Sequence, residues 1–257
     1  MSSDLRADAL LAAQVAEEAG GLLLAVRAGG LVGNRLGDAG DFESNKWIQE
    51  RLGRSRPDDV ILSEESPDDL RRLGADRVWI VDPLDGTREY RTPGRQDWAV
   101  HIALWEREAG ITAAAVSLPA QGKVFATDRT PQSRSVHDGP RRLVVSDSRP
   151  QPIASAVATA AGFDVVRMGS AGAKAMAVVE GSADAYVHTG GQWEWDSAAP
   201  VGVAVSAGLH ASRVDGSTLV YNRASPYVED LLICRVEHAE VLLDLLRAEV
   251  TSRDEKS

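Results

Sequence analysis

One cysteine, Cys234, stands in a chain of 257 residues, so no internal disulfide can form. Its place in the apolar run Leu231-Leu-Ile-Cys234 marks it as a small packed hydrophobe of a reducing compartment. Basic residues are also scarce: 28 Lys and Arg face 38 Asp and Glu, a net charge of -10. That balance disfavours a nucleic acid polymer, because a phosphate backbone demands a basic surface, although a free nucleotide needs only a local basic pocket. The five histidines, at 101, 137, 188, 210 and 238, lack partners at H-x-x-x-H or C-x-x-C spacing, which excludes an ordinary zinc site. Any metal must be held by oxygen. No stretch reaches the ~18 apolar residues of a membrane span, and Met1 to Asp8 has no basic segment leading into an apolar one. These absences predict a cytoplasmic protein with no membrane partner.

What is present is a hydrophobic fraction of 44%, enough for a substantial core in one compact unit spanning 1–257. Leu11, Val15, Ala19, Leu22 and Val26 recur at helical spacing behind a Ser3 or Asp4 cap, until the glycines at 29, 30 and 33 interrupt the pattern. A second helix is predicted around Phe42 to Leu52. Val60 to Leu62 and Arg77 to Val81 read as buried strands that run directly into acidic residues. Trp98 to Trp105, Ile111 to Leu118 and Lys123 to Thr127, separated by Gly-containing turns, predict an antiparallel meander. Trp98 and Trp105 fit strand packing.

From Arg141 strands alternate with helices: 143–145, 153–161, 164–168, 173–180 and 185–188, then a helix at 198–207, strands near 219–221 and 231–234, and a helix from Glu237. The fold class is therefore α+β, with an antiparallel N-terminal sheet and a mixed C-terminal lobe. A polar stretch at 128–140 separates lobes of 1–135 and 141–257.

The chemistry concentrates at Asp82-Pro-Leu-Asp-Gly-Thr87. Pro83 interrupts simple strand continuation and turns the chain, which brings Asp82 and Asp85 together at a strand end. Two close carboxylates repel, so either one is protonated or a cation lies between them. With no His or Cys ligands the natural ion is Mg2+, which combines a few carboxylates with water and phosphate oxygens. Gly86 and Thr87 would open a helix whose free N–H groups accept phosphate. In isolation the segment reads equally well as a turn, since Asp, Pro and Gly dominate turns. Glu64, after the strand 60–62, reads as a solvated acid, and Asp196 as a helix N-cap.

Ser63-Glu-Glu-Ser66, Trp79-Ile-Val-Asp-Pro-Leu-Asp-Gly-Thr87 and Trp195-Asp-Ser-Ala-Ala199 together change that balance. In order and separation they resemble the G/S-E-E-S, W-I-x-D-P-x-D-G-T and W-D-x-A-A pattern of the inositol monophosphatase superfamily, lithium-sensitive and magnesium-dependent phosphatases. The resemblance spans roughly residues 36 to 235. It implies a layered α-β-α-β-α sugar-phosphatase-like fold. It also implies that Glu64, Asp82, the Leu84 carbonyl, Asp85 and Asp196 hold two or three Mg2+ ions. By the same resemblance Gly86 and Thr87 contact the phosphate, while Asp41, Thr87 and Glu64 form the catalytic group that orients an attacking water. Homodimers are common in the family, although no sequence feature here marks an interface. Two positions depart from the pattern: Asp38 replaces the usual Thr of T-x-x-D, and Pro200 replaces the Gly of W-D-x-A-A-G.

The second half resembles the CysQ-type branch, which hydrolyses 3'-phosphoadenosine 5'-phosphate in sulfate assimilation and nucleotide recycling. The segments concerned are Leu143-Val-Val-Ser-Asp-Ser-Arg149, Gly169-Ser-Ala-Gly-Ala-Lys174 and Val179 to Tyr186. The implied substrate contacts are Glu64, Leu84, Asp85, Gly86, Thr87, Ser146, Ser148, Arg149, Ser170, Lys174, His188 and Asp196. His188 takes the place of an acidic residue that meets sugar hydroxyls in inositol phosphatases, and a neutral or cationic side chain suits a second phosphate better. Inositol phosphate and fructose 1,6-bisphosphate are the alternative substrates, and a metal-dependent nucleotide-binding protein is the non-enzymatic alternative. A haloacid-dehalogenase enzyme would place its two aspartates two positions apart, whereas Asp82 and Asp85 are three apart.

Overall fold

The computed structural model describes residues 3–130, 132–133, 139–149 and 151–254. His137 and the side chains of Ser3 and Asp4, including the expected helix cap, lie outside them. Helices α1 (Ser3–Ala28) and α2 (Gly33–Ser55) come first. A five-stranded sheet follows, made of β1 (Val60–Ser63), β2 (Arg77–Asp85), β3 (Ala99–Glu106), β4 (Gly110–Leu118) and β5 (Lys123–Ala126) in that spatial order. The short α3 (Thr87–Arg91) lies between β2 and β3. Strands β2 to β5 form the expected antiparallel meander, and β1 adds to its edge in parallel with β2.

The second half supplies β6 (Arg142–Ser146), α4 (Pro152–Ala161), β7 (Asp164–Met168), α5 (Ala171–Val179), β8 (Ala185–His188), β9 (Gln192–Trp193) and α6 (Glu194–Ser206). It closes with β10 (His210–Ser212), β11 (Tyr227–Val228), β12 (Leu231–Cys234) and α7 (Val236–Asp254). Its main sheet has the order β10-β12-β8-β6-β7, antiparallel at β10-β12-β8 and parallel at β8-β6-β7.

Strand periodicity explains the layering. Successive side chains point to opposite faces, so Trp79 and Val81 of β2 join the core formed with α1 and α2, while Val78 and Ile80 join the core formed with α5 and α6. The second sheet packs on that same central helix layer and shows its other face to α4 and α7. The result is the layered α-β-α-β-α arrangement. With both faces covered, β2 needs no polar alternation, and each Val or Ile it buries contributes roughly 1.5–3 kcal/mol.

Several expectations change in ways that bear on the site. Helix α2 starts at Gly33 rather than near Phe42, so Asp38 and Asp41 stand on a helix, not a loop. Gly37 and Gly40 are poor helix formers but allow close packing: an added Cβ would lie 2.8 Å from Thr87 Cγ2 and 2.8 Å from Tyr90 Cε1 respectively. Pro83 does not end β2. The ladder pairs Asp82 with His101 and Asp85 with Ala99, and the strand bulges between them. Helix α6 begins at Glu194, before Asp196, because the Asp196 carboxylate accepts the Trp193 N–H at 2.6 Å and caps the first turn. Pro200 consequently lies within the helix rather than at its start.

No strand forms at 219–221, where Leu219 and Tyr221 pack against the core; β10 takes one edge of the main sheet, and β11 pairs with β9 in a separate two-stranded sheet. Leu5–Ala28 is long and apolar enough to cross a membrane by composition, contrary to the sequence reading, but half of that window is buried in the protein.

Candidate active site

Strands β1 and β2 end side by side, and their ends carry the acidic motifs. The Glu64 N–H reaches the Val81 carbonyl at 3.3 Å, continuing the ladder into the Ser63–Ser66 loop. Ser63 Oγ donates to Asn45 Oδ1 at 2.8 Å, and Ser66 Oγ accepts from Asn45 Nδ2 and Gln49 Nε2, so the two serines tie this loop to α2. Asp82 and Asp85 are both buried. Asp82 Oδ1 accepts the Leu84 N–H at 3.0 Å, which folds the bulge over its own first residue. Gly86 then adopts φ +88°, a left-handed conformation that favours glycine, and launches α3.

Asp82, Asp85 and Asp196 each offer a carboxylate oxygen, and these oxygens lie within 4.8 Å of one another. Burial, followed by the charges of Glu64 and Asp85, holds the Asp82 carboxyl well above its ordinary range. Asp196 is raised to about 6 by burial and by Asp85. Enclosure in the cleft and the neighbouring Asp196 raise Glu64 to about 8. Glu64 is solvent-exposed at the cleft mouth. Asp85 goes the other way. Burial alone would raise it, but His101 beside it, Lys174 and the Gly172 N–H hold its carboxylate low. Its oxygens accept the N–H groups of Ala171 at 3.1 Å and Gly172 at 2.7 Å, in the first turn of α5.

Thr87 Oγ1 lies 3.3 Å from both Asp41 Oδ1 and the Leu84 carbonyl. Asp41 is raised to about 7 by burial and Glu65, with Thr87 opposing. Asp38 is exposed one turn earlier on α2 and acts on Asp41 only through its charge.

A cleft of about 230 Å³ receives Glu64, Asp82, Leu84, Asp85, Gly86, Thr87 and Asp196 on one side. Ser146, Ser148, Arg149, Ser170, Lys174 and His188 line its other side. Every candidate metal, catalytic or substrate residue except Asp41 therefore lines one cleft, and Asp41 reaches it through Thr87. Lys174 is buried; its ammonium donates to the carbonyls of Gly169 and, at 2.6 Å, Ser170, and burial lowers it to about 8. Ser170 Oγ accepts the Ala173 N–H at 2.9 Å and caps α5. Ser146 Oγ accepts the Arg149 N–H at 3.2 Å.

His188 is buried, and burial depresses it to about 4. Its neutral ring directs Nε2 to the Gly191 carbonyl at 2.9 Å, which makes Nε2 the protonated nitrogen and leaves Nδ1 a buried acceptor without a partner among the described residues. Arg88, Glu89, Tyr186 and Gln192 also line the cleft and were not singled out. Arg88 and Glu89 follow Thr87 directly and were legible by proximity, whereas nothing local marks Gln192. Arg88 bridges Glu89 to Asp147 across the cleft mouth.

In this layered fold, carboxylates from the ends of β1 and β2 and from the first turn of α6 converge on one cleft. Residues 12–251 match the inositol monophosphatase family, and the chain belongs to that family. Its relatives include a Mycobacterium bovis protein named 3'-phosphoadenosine 5'-phosphate phosphatase, 54% identical over 235 residues, with 88% of each chain covered. A Mycobacterium leprae protein of the same name is 51% identical over 253 residues, covering 93% of each. Among solved structures, inositol monophosphatase II from Staphylococcus aureus superposes with a TM-score of 0.79 at 19% identity, covering 95% of each chain, a likeness of fold.

Proposed function

We propose that this protein is a magnesium-dependent phosphate monoesterase that removes the 3'-phosphate of 3'-phosphoadenosine 5'-phosphate, giving AMP and phosphate. The observation that carries this reading is the cluster of Asp82, Asp85 and Asp196 within 4.8 Å, in the same cleft as the cations of Lys174, Arg149 and Arg88. The mycobacterial relatives bear the name of this activity.

The residues fit the ion. Glu64, Asp82 and Asp196 all hold protons more tightly than ordinary carboxyls, first because they are enclosed and then because like charges crowd them, and a divalent cation relieves that field. With the Leu84 carbonyl and Asp85 they would hold two or three Mg2+ ions. Bound magnesium would neutralise the phosphate and leaving oxygens and lower the pKa of a water.

Thr87 and Asp41 handle the proton. With the Thr87 hydroxyl hydrogen directed to Asp41, the Thr87 oxygen accepts a hydrogen bond from the attacking water, and Asp41, at about 7, is poised as the base near neutrality. The water oxygen bonds to phosphorus as the bond to the ribose 3'-oxygen breaks, and that oxygen takes up a proton. No phosphoenzyme forms. The N–H groups of Gly86 and Thr87 face the transferred phosphate. Lys174, Arg149 and Arg88 meet the second phosphate, with Ser146, Ser148 and Ser170 shaping that wall. His188, neutral through burial, lines the same wall of the cleft.

We read the chain as one unit whose lobe of 141–257 contributes Asp196 to the metal lobe of 1–135. We place the protein in the cytoplasm; half of the apolar window within Leu5–Ala28 is buried in the protein, as in a core helix. Comparison of kcat/KM on 3'-phosphoadenosine 5'-phosphate, inositol monophosphate and fructose 1,6-bisphosphate tests the substrate. Parity or better for inositol monophosphate overturns it.

A further inference from the structure

His101 is the one histidine on β3, and its side chain is fully buried. Its neighbours on that face, Ala99 and Ala103, pack into the apolar core with α5 and α6, where an imidazole is costly unless its nitrogens are used. Both nitrogens face acceptors. Nδ1 lies 3.0 Å from the Trp195 carbonyl, immediately before Asp196. Nε2 lies 3.1 Å from Asp85 Oδ2, somewhat off the hydrogen-bond axis. The first turn of α5 is built around the ring: a Cβ on Gly172 would come 2.2 Å from Nε2. That same turn sends its Ala171 and Gly172 N–H groups to Asp85. One ring thus touches the strand-end acid, the helix turn that holds it, and the turn that carries Asp196.

We infer that His101 is a positioning residue of the carboxylate cluster, holding Asp85 and the Trp195–Asp196 turn at the separation that cation binding requires. Among the described residues, contacts to Oδ2 come from both Gly172 N–H and His101, and to Oδ1 from Ala171 alone, so Oδ1 keeps the freer lone pair. Outer partners of this kind set ligand orientation and tune affinity about 10- to 100-fold. The inference rests on the reading of Asp82, Asp85 and Asp196 as magnesium ligands.

The test is calorimetric titration of the full chain with Mg2+ alone. In His101→Asn the amide can replace Nδ1 toward Trp195 but does not reach Asp85; in His101→Gln it reaches the Nε2 position. Magnesium binding weakens about 10- to 100-fold in His101→Asn and largely recovers in His101→Gln. A folded His101→Asn that binds Mg2+ like the parent overturns the inference. In the unaltered protein the His101 ring proton resonances shift during the same titration, and resonances that stay still overturn it equally. Asp82→Asn separates the two levels. If it binds Mg2+ like the parent, the metal centre itself is misread; if it loses binding while His101→Asn retains it, only the role of His101 falls.

Discussion

Thr87 Oγ1 lies 3.3 Å from Asp41 Oδ1 across 46 residues of sequence, one at the start of α3 and the other on α2. The approach depends on Gly37 and Gly40, whose missing side chains let α2 settle against Thr87 and Tyr90. Asp41→Asn and Thr87→Val should each lower kcat by about 10²–10⁴, with little change in Mg2+ affinity. Steady-state kinetics beside metal titration checks this, and a parallel loss of metal binding would move Asp41 into the ligand set.

Asp82 is buried among like charges, so its neutral isostere should be tolerated by the fold. Asp82→Asn is expected to unfold at the same temperature as the metal-free parent or above it, and to lose roughly a hundredfold or more of activity, the several kcal/mol a Lewis acid contributes. Circular dichroism melts and kcat on the bisphosphate test the two halves separately. An unaffected rate would mean the centre lies elsewhere.

The acidic cluster gives metal-free protein a signed pH dependence. Glu64 rises from 4.5 to about 8 and Asp196 from 3.8 to about 6, so the folded state binds more protons than the unfolded one between those values. Stability from these groups is full below their ordinary values and is lost as pH rises through the folded ones. The melting temperature of chelator-treated protein should therefore fall between about pH 5 and pH 8, and saturating Mg2+ should remove most of that slope. Calorimetric melts across this range, with and without the ion, decide it.

Lys174 carries a buried ammonium that donates to carbonyls of its own helix start and sits 5.2 Å from the Tyr186 ring centroid, with no carboxylate contact among the described residues. Lys174→Met should raise KM for the bisphosphate by about 1.5–3 kcal/mol, roughly ten- to a hundredfold. A 3'-monophosphate lacking the second phosphate should lose much less. Equal losses on both compounds would assign the lysine a purely structural part.

Much of the site was legible because its chemistry is local. The acids of 63–66, 82–87 and 195–199 announce themselves by residue type and by the strands before them. The segments at 143–149 and 169–174 mark the opposite wall. The pattern places the second helix around Phe42 to Leu52, whereas α2 starts at Gly33 because tertiary packing uses Gly37 and Gly40, poor helix formers on their own, as contact surface. His101 read only as a strand residue, since its partners lie at Asp85 and Trp195.

The sequence by itself determined which groups could do the chemistry: oxygen ligands in place of zinc-type ones, two acids at a strand end, and a chain able to alternate strands with helices. Tertiary structure alone decided their arrangement. Burial against Asp196 and Glu64 drives the Asp82 carboxyl upward, while His101 and the α5 turn hold Asp85 down, so two acids three residues apart acquire opposite characters. The physical reason is that charge repulsion and desolvation depend on distance and enclosure, and the folded layers set both.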